Sequence, residues 1–187
     1  MVKGWLKVPG IRPDGDRTLE EQMMGLDAAL SEASGKTVLD LGCAEGLIGR
    51  EFAKAGAKAV LGLEVVQTHL DVARKACHDQ PQMKFICTNI ETYIEKQSAP
   101  YPQFDIVLAL GIVHKMKQPA IPLRFAARSA RNLLIYRAPA WGGDGYVEHK
   151  YGGGRVHVPT LMKEEGFVEE RLESGARGEA AQYWRRA

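Results

Sequence analysis

Short, nearly continuous apolar runs alternate along the chain with longer stretches of helical period. The runs are Thr37–Gly42, Lys58–Glu64, Met83–Thr88, Phe104–Leu110 and Asn132–Arg137. Continuous rather than alternating apolar character marks strands covered on both faces, as in a parallel sheet. Cys87, inside the third run, is therefore expected in a strand core. Between the runs, helices are predicted over Leu47–Ala55, Thr68–His78, Ile90–Gln97 and Ala120–Arg128. Thr68 is a candidate cap, because a Thr hydroxyl accepts an orphan amide of the first turn. The alternation predicts βαβ units and a doubly wound α/β fold. Right-handed crossovers then restrict the topology.

The two ends differ from this core. Thr18–Ala33 reads as one helix, opened by the Thr18-x-x-Glu21 capping-box pattern and closed by Gly35. Trp141–Gly154 carries six glycines, which predicts a long and functional loop. A short helix near Thr160–Glu165 follows, closed by Gly166. Phe167–Leu172 and Ala180–Arg186 read as strands with no helix between them, hence a hairpin added antiparallel to the sheet.

The most informative stretch is Val38-Leu-Asp-Leu-Gly-Cys-Ala-Glu-Gly46, a strand that runs into a tight turn before a helix. Gly42 and Gly46 allow positive φ and a close approach of ligand to backbone. In open α/β sheets, ligands sit at the carboxyl ends of the strands. Asp40, inside the strand end, suits an ammonium group and repels the pyrophosphate that a helix N-terminus normally takes. The spacing is Gly-x-x-x-Gly rather than Gly-x-Gly-x-x-Gly, so an NAD(P)-dependent oxidoreductase is disfavoured. Glu64 ends the second run, where an acid can accept both hydroxyls of a ribose. Leu61-Gly-Leu-Glu-Val-Val66, which includes Val65, is thus a second ligand segment. Asn89 can offer its amide oxygen to an adenine amino group, and Ile90 can pack on the ring.

With these residues in register, the chain resembles the class I S-adenosylmethionine-dependent methyltransferases. The resemblance covers residues 36–137 by motif, and the C-terminal hairpin extends it. It implies a mostly parallel seven-stranded sheet whose last strand is antiparallel. It also implies S-adenosylmethionine as cofactor and S-adenosylhomocysteine as product. Asp40 and Gly42 would face the methionine part, with Cys43 and Ala44 in the turn. Glu64 and Val65 would hold the ribose, Asn89 and Ile90 would flank the adenine, and Ala109 would lend a backbone carbonyl. The usual Gly-x-Gly core is here Gly42-Cys-Ala44, a small-for-small change. The fourth run lacks the Asn/Asp-Pro-Pro-aromatic signature of methylases acting on amino groups of DNA bases. Its FDIVLALGIVHKMKQP segment is similar to that of small-molecule and tRNA wobble-uridine relatives.

Beyond the cofactor residues, His114 follows the fourth run and is the candidate catalytic base. Arg17, and after it Arg12 and Gln22, are candidates for clamping the cofactor carboxylate. Residues 1–35 are expected to cover the pocket, and residues 138–158 to form a glycine-rich substrate loop, with closure as a lid and a mobile surface loop as equal readings. Within that loop Trp141, Tyr146 and His149 are the candidate acceptor contacts. A methyltransferase needs no covalent nucleophile, because the cofactor carries the electrophile. The alternative reading is a non-catalytic or cofactor-cleaving S-adenosylmethionine-binding protein.

Composition changes this picture little. The chain has 187 residues, about one domain at roughly 100–200 residues each. With 45% apolar and 26% charged residues, global disorder is excluded. The net charge of +2 is too balanced to announce a nucleic-acid binder. A small-molecule acceptor is slightly favoured, with RNA kept open by Arg124, Arg128 and Arg131. No apolar run approaches the roughly 18 residues of a membrane span, and the N-terminus lacks a signal-peptide core. A cytoplasmic location is expected. Cysteines 43, 77 and 87 fit neither a disulfide framework nor a zinc site, so no metal is predicted. Cys43 reads as a packing residue, and Arg185 and Arg186 as solvated.

Overall fold

The five apolar runs become strands within two residues of their predicted ends: β1 Thr37–Leu41, β2 Ala59–Glu64, β3 Met83–Cys87, β4 Phe104–Leu110 and β5 Ala130–Arg137. The structure is a computed structural model and describes residues 4–139, 145–149 and 151–187. The C-terminal strands are β8 Phe167–Ser174 and β9 Ala180–Arg186. Strand order in the main sheet is β3-β2-β1-β4-β5-β9-β8. The pairs β1–β2, β2–β3 and β4–β5 are parallel. β9 runs antiparallel to β5, and β8 antiparallel to β9. This is the predicted seven-stranded, mostly parallel sheet with an antiparallel C-terminal hairpin.

The chain forms two compact units, Met1–Ile90 and Glu91–Ala187. In the first unit, β1 is followed by α3 Leu47–Lys54, and β2 by α4 Gln67–Ala76. The predicted Thr18–Ala33 helix is two helices, α1 Leu19–Met23 and α2 Asp27–Ser31. Gly25 between them takes φ 76°, a left-handed conformation that ends the first. The capping box stands: Thr18 Oγ1 accepts from the Glu21 amide, and a Glu21 carboxylate oxygen accepts from the Thr18 amide. Thr68 does not cap α4, which begins one residue earlier. The Glu64 carboxylate takes the Val65 and Val66 amides ahead of the helix, whose first turn has no side-chain cap. Cys87 is exposed rather than in a strand core, because β3 lies at the sheet edge. Ahead of α1, residues 4–17 form a strap with isolated bridges Leu6↔Arg17 and Val8↔Arg12. Its buried Leu6 and Val8 pack with Leu47 of α3 and Val72 of α4.

α5 Ile90–Glu95 begins on the last residue of the first unit and leads to β4 in the second, where a 3-10 turn, Val113–Lys115, leads to α6 Ala120–Ser129. The glycine-rich stretch is not simply a loop. It holds a small antiparallel hairpin, β6 Tyr146–Glu148 with β7 Arg155–His157. The hairpin is tied back where the Gly154 amide donates to the Lys117 carbonyl. α7 Val158–Glu164 follows, capped by His157 Nδ1, which accepts from the Thr160 amide.

Arg186 is not simply solvated. Its guanidinium donates to the Ala127 and Ala130 carbonyls at the end of α6 and lies 4.4 Å over the Phe167 ring. Arg185 pairs with Glu170 at 2.7 Å. Arg124 and Arg128 are bound by acids of the α7 end, through Glu164 and Glu165 at 2.6–2.9 Å. Among the described residues, no helix is long and apolar enough to cross a membrane.

Candidate active site

Parallel pairing of β1 with β2 sets Asp40 opposite Gly62 and brings the turn after β1 beside Glu64. The turn is built from three residues at positive φ: Gly42 at 75°, Ala44 at 47° and Gly46 at 73°. Glycine adopts this region freely, but for Ala44 it costs about 1–2 kcal/mol. The amides of Gly42 and Cys43 both donate to the Leu63 carbonyl, at 2.9 and 3.0 Å. Those of Ala44, Val65 and Val66 donate to the Glu64 carboxylate at 2.9–3.0 Å. Oε1 carries two of the three and Oε2 one. A carboxylate offers about four acceptor positions, more than these three amides fill. Glu64 thus keeps acceptor capacity beside its amides.

Cys43 is buried under Gly62, where a Cβ would come within 2.6 Å of the Cys43 sulfur. Gly62 makes the space that this thiol fills. Burial pushes the Cys43 thiol well above its ordinary range, which suits packing and not nucleophilic attack. Cys77 is also buried, with its sulfur 3.6 Å from the Gly46 carbonyl oxygen, and burial pushes it up to about 11.

Asp40 is the unusual group. It is 3% exposed, and its Oδ2 has no hydrogen-bond partner among the described residues. Burial first, and then the nearby Glu64 carboxylate, pushes its pKa from the ordinary 3.8 up to about 7. An unpartnered buried carboxylate oxygen is costly in a folded chain and is a recurrent mark of functional sites. A cation of ammonium size supplies what Asp40 lacks, so these residues fit the methionine end of the implied cofactor.

Asn89 and Ile90 follow β3. The Thr88 amide donates to the Glu64 carbonyl at 2.8 Å, which places this segment beside the end of β2. Ile90 is buried, Asn89 and Val65 are exposed. Arg17 lies at the base of the strap, buried, with its guanidinium carbon 5.3 Å from the Trp5 ring centroid. Arg12 reaches Glu45 at 3.4 Å.

Pattern reading passed over two residues here. Glu45, in the middle of the turn, is fully buried. Its carboxylate accepts from the Trp5 amide at 3.0 Å and the Leu6 amide at 2.8 Å. His69 of α4 stands between acids, 3.8 Å from Glu45 and 4.0 Å from Glu64. The available signal was an acid flanked by glycine and alanine in an apolar turn, where a solvated side chain has no reason to be.

In the second unit, Ala109 is fully buried in β4, in register with Tyr136 of β5. His114 sits half-buried in the 3-10 turn beyond the carboxyl end of β4. Tyr146 lies on the β6–β7 hairpin, its ring 4.8 Å from that of His157 and under Arg155 at 4.0 Å. His149 Nδ1 is 2.8 Å from the Gly152 carbonyl oxygen. Trp141 lies outside the described residues. No group of three or more His, Cys, Asp or Glu among the described residues is placed to hold a metal ion.

A family model described as "Methyltransferase domain" matches residues 38–133, just over half of the chain. A ubiquinone biosynthesis O-methyltransferase from Actinobacillus pleuropneumoniae is 33% identical over 87 residues, which are 46% of this chain and 37% of that protein. A ribosomal protein L11 methyltransferase from Aeromonas hydrophila is 28% identical over 141 residues, 75% of this chain and 45% of that one. The chain spans about two fifths of the length of the first curated relatives it matches. Among solved structures, magnesium protoporphyrin IX methyltransferase from Synechocystis PCC 6803 with bound S-adenosylhomocysteine superposes with a TM-score of 0.68. That match has 16% identity and covers 90% of this chain and 84% of the other, which is a likeness of fold. The turn after β1 and the acid at the end of β2 both lie within residues 38–133, and the chain belongs to the methyltransferase domain family.

Proposed function

We propose that this chain is an S-adenosylmethionine-dependent methyltransferase acting on a small molecule. The observation that carries the reading is the buried, unpartnered Oδ2 of Asp40 beside a turn held open by three positive-φ residues. When bound, the cofactor supplies an electrophilic methyl group on a sulfonium, open to in-line displacement.

The residues of the chain bind and orient. Asp40 takes the ammonium group. The backbone of Gly42, Cys43 and Ala44 lies along the methionine part. Glu64 accepts the ribose hydroxyls, beside Val65. Asn89 and Ile90 flank the adenine, and Ala109 lends its carbonyl. Arg17 closes the carboxylate end from the strap. His114 takes the proton from the acceptor at an imidazole nitrogen, and Tyr146, His149 and Trp141 hold the acceptor. Residues 1–35 and 138–158 serve the cofactor and the acceptor respectively, within one methyltransferase domain.

Two points favour a small acceptor. The first curated relatives carry the name of an O-methyltransferase of ubiquinone biosynthesis. In addition, Arg124 and Arg128, two of the three cations that left RNA open, are engaged by Glu164 and Glu165.

Thermal unfolding with S-adenosylhomocysteine, with NAD as control, tests the cofactor. A ligand at about 100 times its Kd adds about 2.7 kcal/mol. For a chain of this size the expected rise is on the order of 5–10 °C, with none from NAD. No rise, or a rise with NAD, removes the reading. Product analysis with labelled cofactor then separates methyl transfer from cofactor cleavage.

A further inference from the structure

We propose that Glu45 is a positioning residue that clamps the N-terminal strap onto the cofactor turn, so that strap docking and nucleoside binding are one coupled equilibrium. The inference rests on the cofactor reading above.

A fully buried carboxylate is expensive unless its acceptor positions are filled. Those of Glu45 are filled from outside its own turn. The Trp5 amide donates to Oε1 and the Leu6 amide to Oε2. The Arg12 guanidinium approaches Oε1 at 3.4 Å. All three donors belong to the strap. The strap has little regular structure of its own, with two isolated bridges and a few backbone hydrogen bonds. Its position is therefore set by this carboxylate together with the burial of Leu6 and Val8.

The clamp sits one residue from the ribose acid's own anchor. The Ala44 amide is held by Glu64 Oε2, and Glu45 is the next residue. Residues 42–46 are thus pinned on one side by the end of β2 and on the other by the strap. His69 closes the circuit through space, within 4.0 Å of both carboxylates. Ala44 stands at φ 47°, a conformation that persists only where its surroundings impose it. Release of Glu45 lets the turn relax away from Glu64, and the nucleoside must then restore the turn at the cost of its own affinity. By reciprocity, a bound nucleoside holds the strap down.

The test uses Glu45→Gln, which keeps the shape but offers one oxygen to two amides, and Arg12→Met, which leaves the carboxylate in place. The readouts are S-adenosylhomocysteine affinity by calorimetry and hydrogen exchange at the Trp5 and Leu6 amides. In the unaltered chain, saturating S-adenosylhomocysteine is expected to slow exchange at both amides. In Glu45→Gln, affinity is expected to fall about tenfold and strap exchange to lose its response to ligand. Arg12→Met is expected to fall between the two. If Glu45→Gln misfolds, the exchange response of the unaltered chain, and its weakening in Arg12→Met at saturating S-adenosylhomocysteine, still decide the question. An unaltered chain that binds S-adenosylhomocysteine without slowing strap exchange overturns the inference, as does Glu45→Gln binding at full strength. An unaltered chain that does not bind S-adenosylhomocysteine overturns the cofactor reading itself, a different result.

Discussion

At the scale of single residues, Asp40 carries a trade between stability and binding. Its pKa in the folded chain is about 7, against 3.8 for an ordinary Asp, with burial the main cause and Glu64 the second. A raised carboxyl pKa means that the folded state binds the extra proton between these values. Unliganded stability therefore falls as pH rises from about 4 to about 7. Asp40→Asn removes the charge and is expected to flatten that slope. At pH 8 the unliganded variant should be more stable by on the order of 1–2 kcal/mol, read from denaturant midpoints. Ligand binding has the opposite sign. An ammonium needs the ionised carboxylate, so affinity for S-adenosylhomocysteine should strengthen as pH rises through about 7. Asp40→Asn should bind weakly with no such dependence. A variant that keeps both affinity and pH profile would remove Asp40 from the site.

At the scale of elements, most stability questions concern ends rather than middles. The C-terminus of α6 is a case. The last carbonyls of a helix need partners, and here Arg186 of β9 donates to Ala127 and Ala130 from a distant part of the sequence. Its guanidinium also lies over Phe167 at the start of β8. Arg186→Met keeps the stem and removes the donors. The expected cost is on the order of 1–2 kcal/mol in urea unfolding, with ligand affinity unchanged. A loss within error would mean that water serves those carbonyls as well.

Arg186 also shows where sequence reading stops. The strands were legible because continuous Val, Ile and Leu runs have few other uses in a chain this polar. The edge position of β3 was not, since neighbour order is a property of the assembled sheet and decides whether Cys87 is covered. The capping box announced α1, yet one glycine at positive φ was enough to split the predicted helix in two. The strap and the β6–β7 hairpin carry no period, and their residues are ordered by partners far away in sequence. Asp40, Gly42 and Glu64 could be picked out because their spacing is tied to strand ends. Glu45 could be noticed as an acid in an apolar turn, but its role could not, because nothing local says that it will be buried by two amides about forty residues upstream.

At the scale of the whole molecule, charge distribution bears on the acceptor. The chain carries 25 basic and 23 acidic side chains. Balance alone does not exclude a local basic face, which is what an RNA substrate needs. The face that the sequence suggested was on and after α6. There, Arg124 is held by Glu164 and Glu165, and Arg128 by Glu165. These arginines are partly exposed, so the pairs add little stability. Their effect on a polyanion is larger, because each phosphate contact would have to displace a carboxylate already in place. Affinity for nucleic acid comes chiefly from released counterions, and cations neutralised within the chain release few. Fluorescence anisotropy with a labelled transfer RNA at 0.15 M salt is therefore expected to give a Kd no tighter than about 10⁻⁴ M, the weak end of non-specific binding. Binding of about 10⁻⁶ M or tighter would reverse the preference for a small acceptor. In that event Glu164→Gln with Glu165→Gln would be the informative variant. If α6 is the contact face, freeing its arginines should tighten RNA binding further and steepen its salt dependence. If another face is used, the change should be slight.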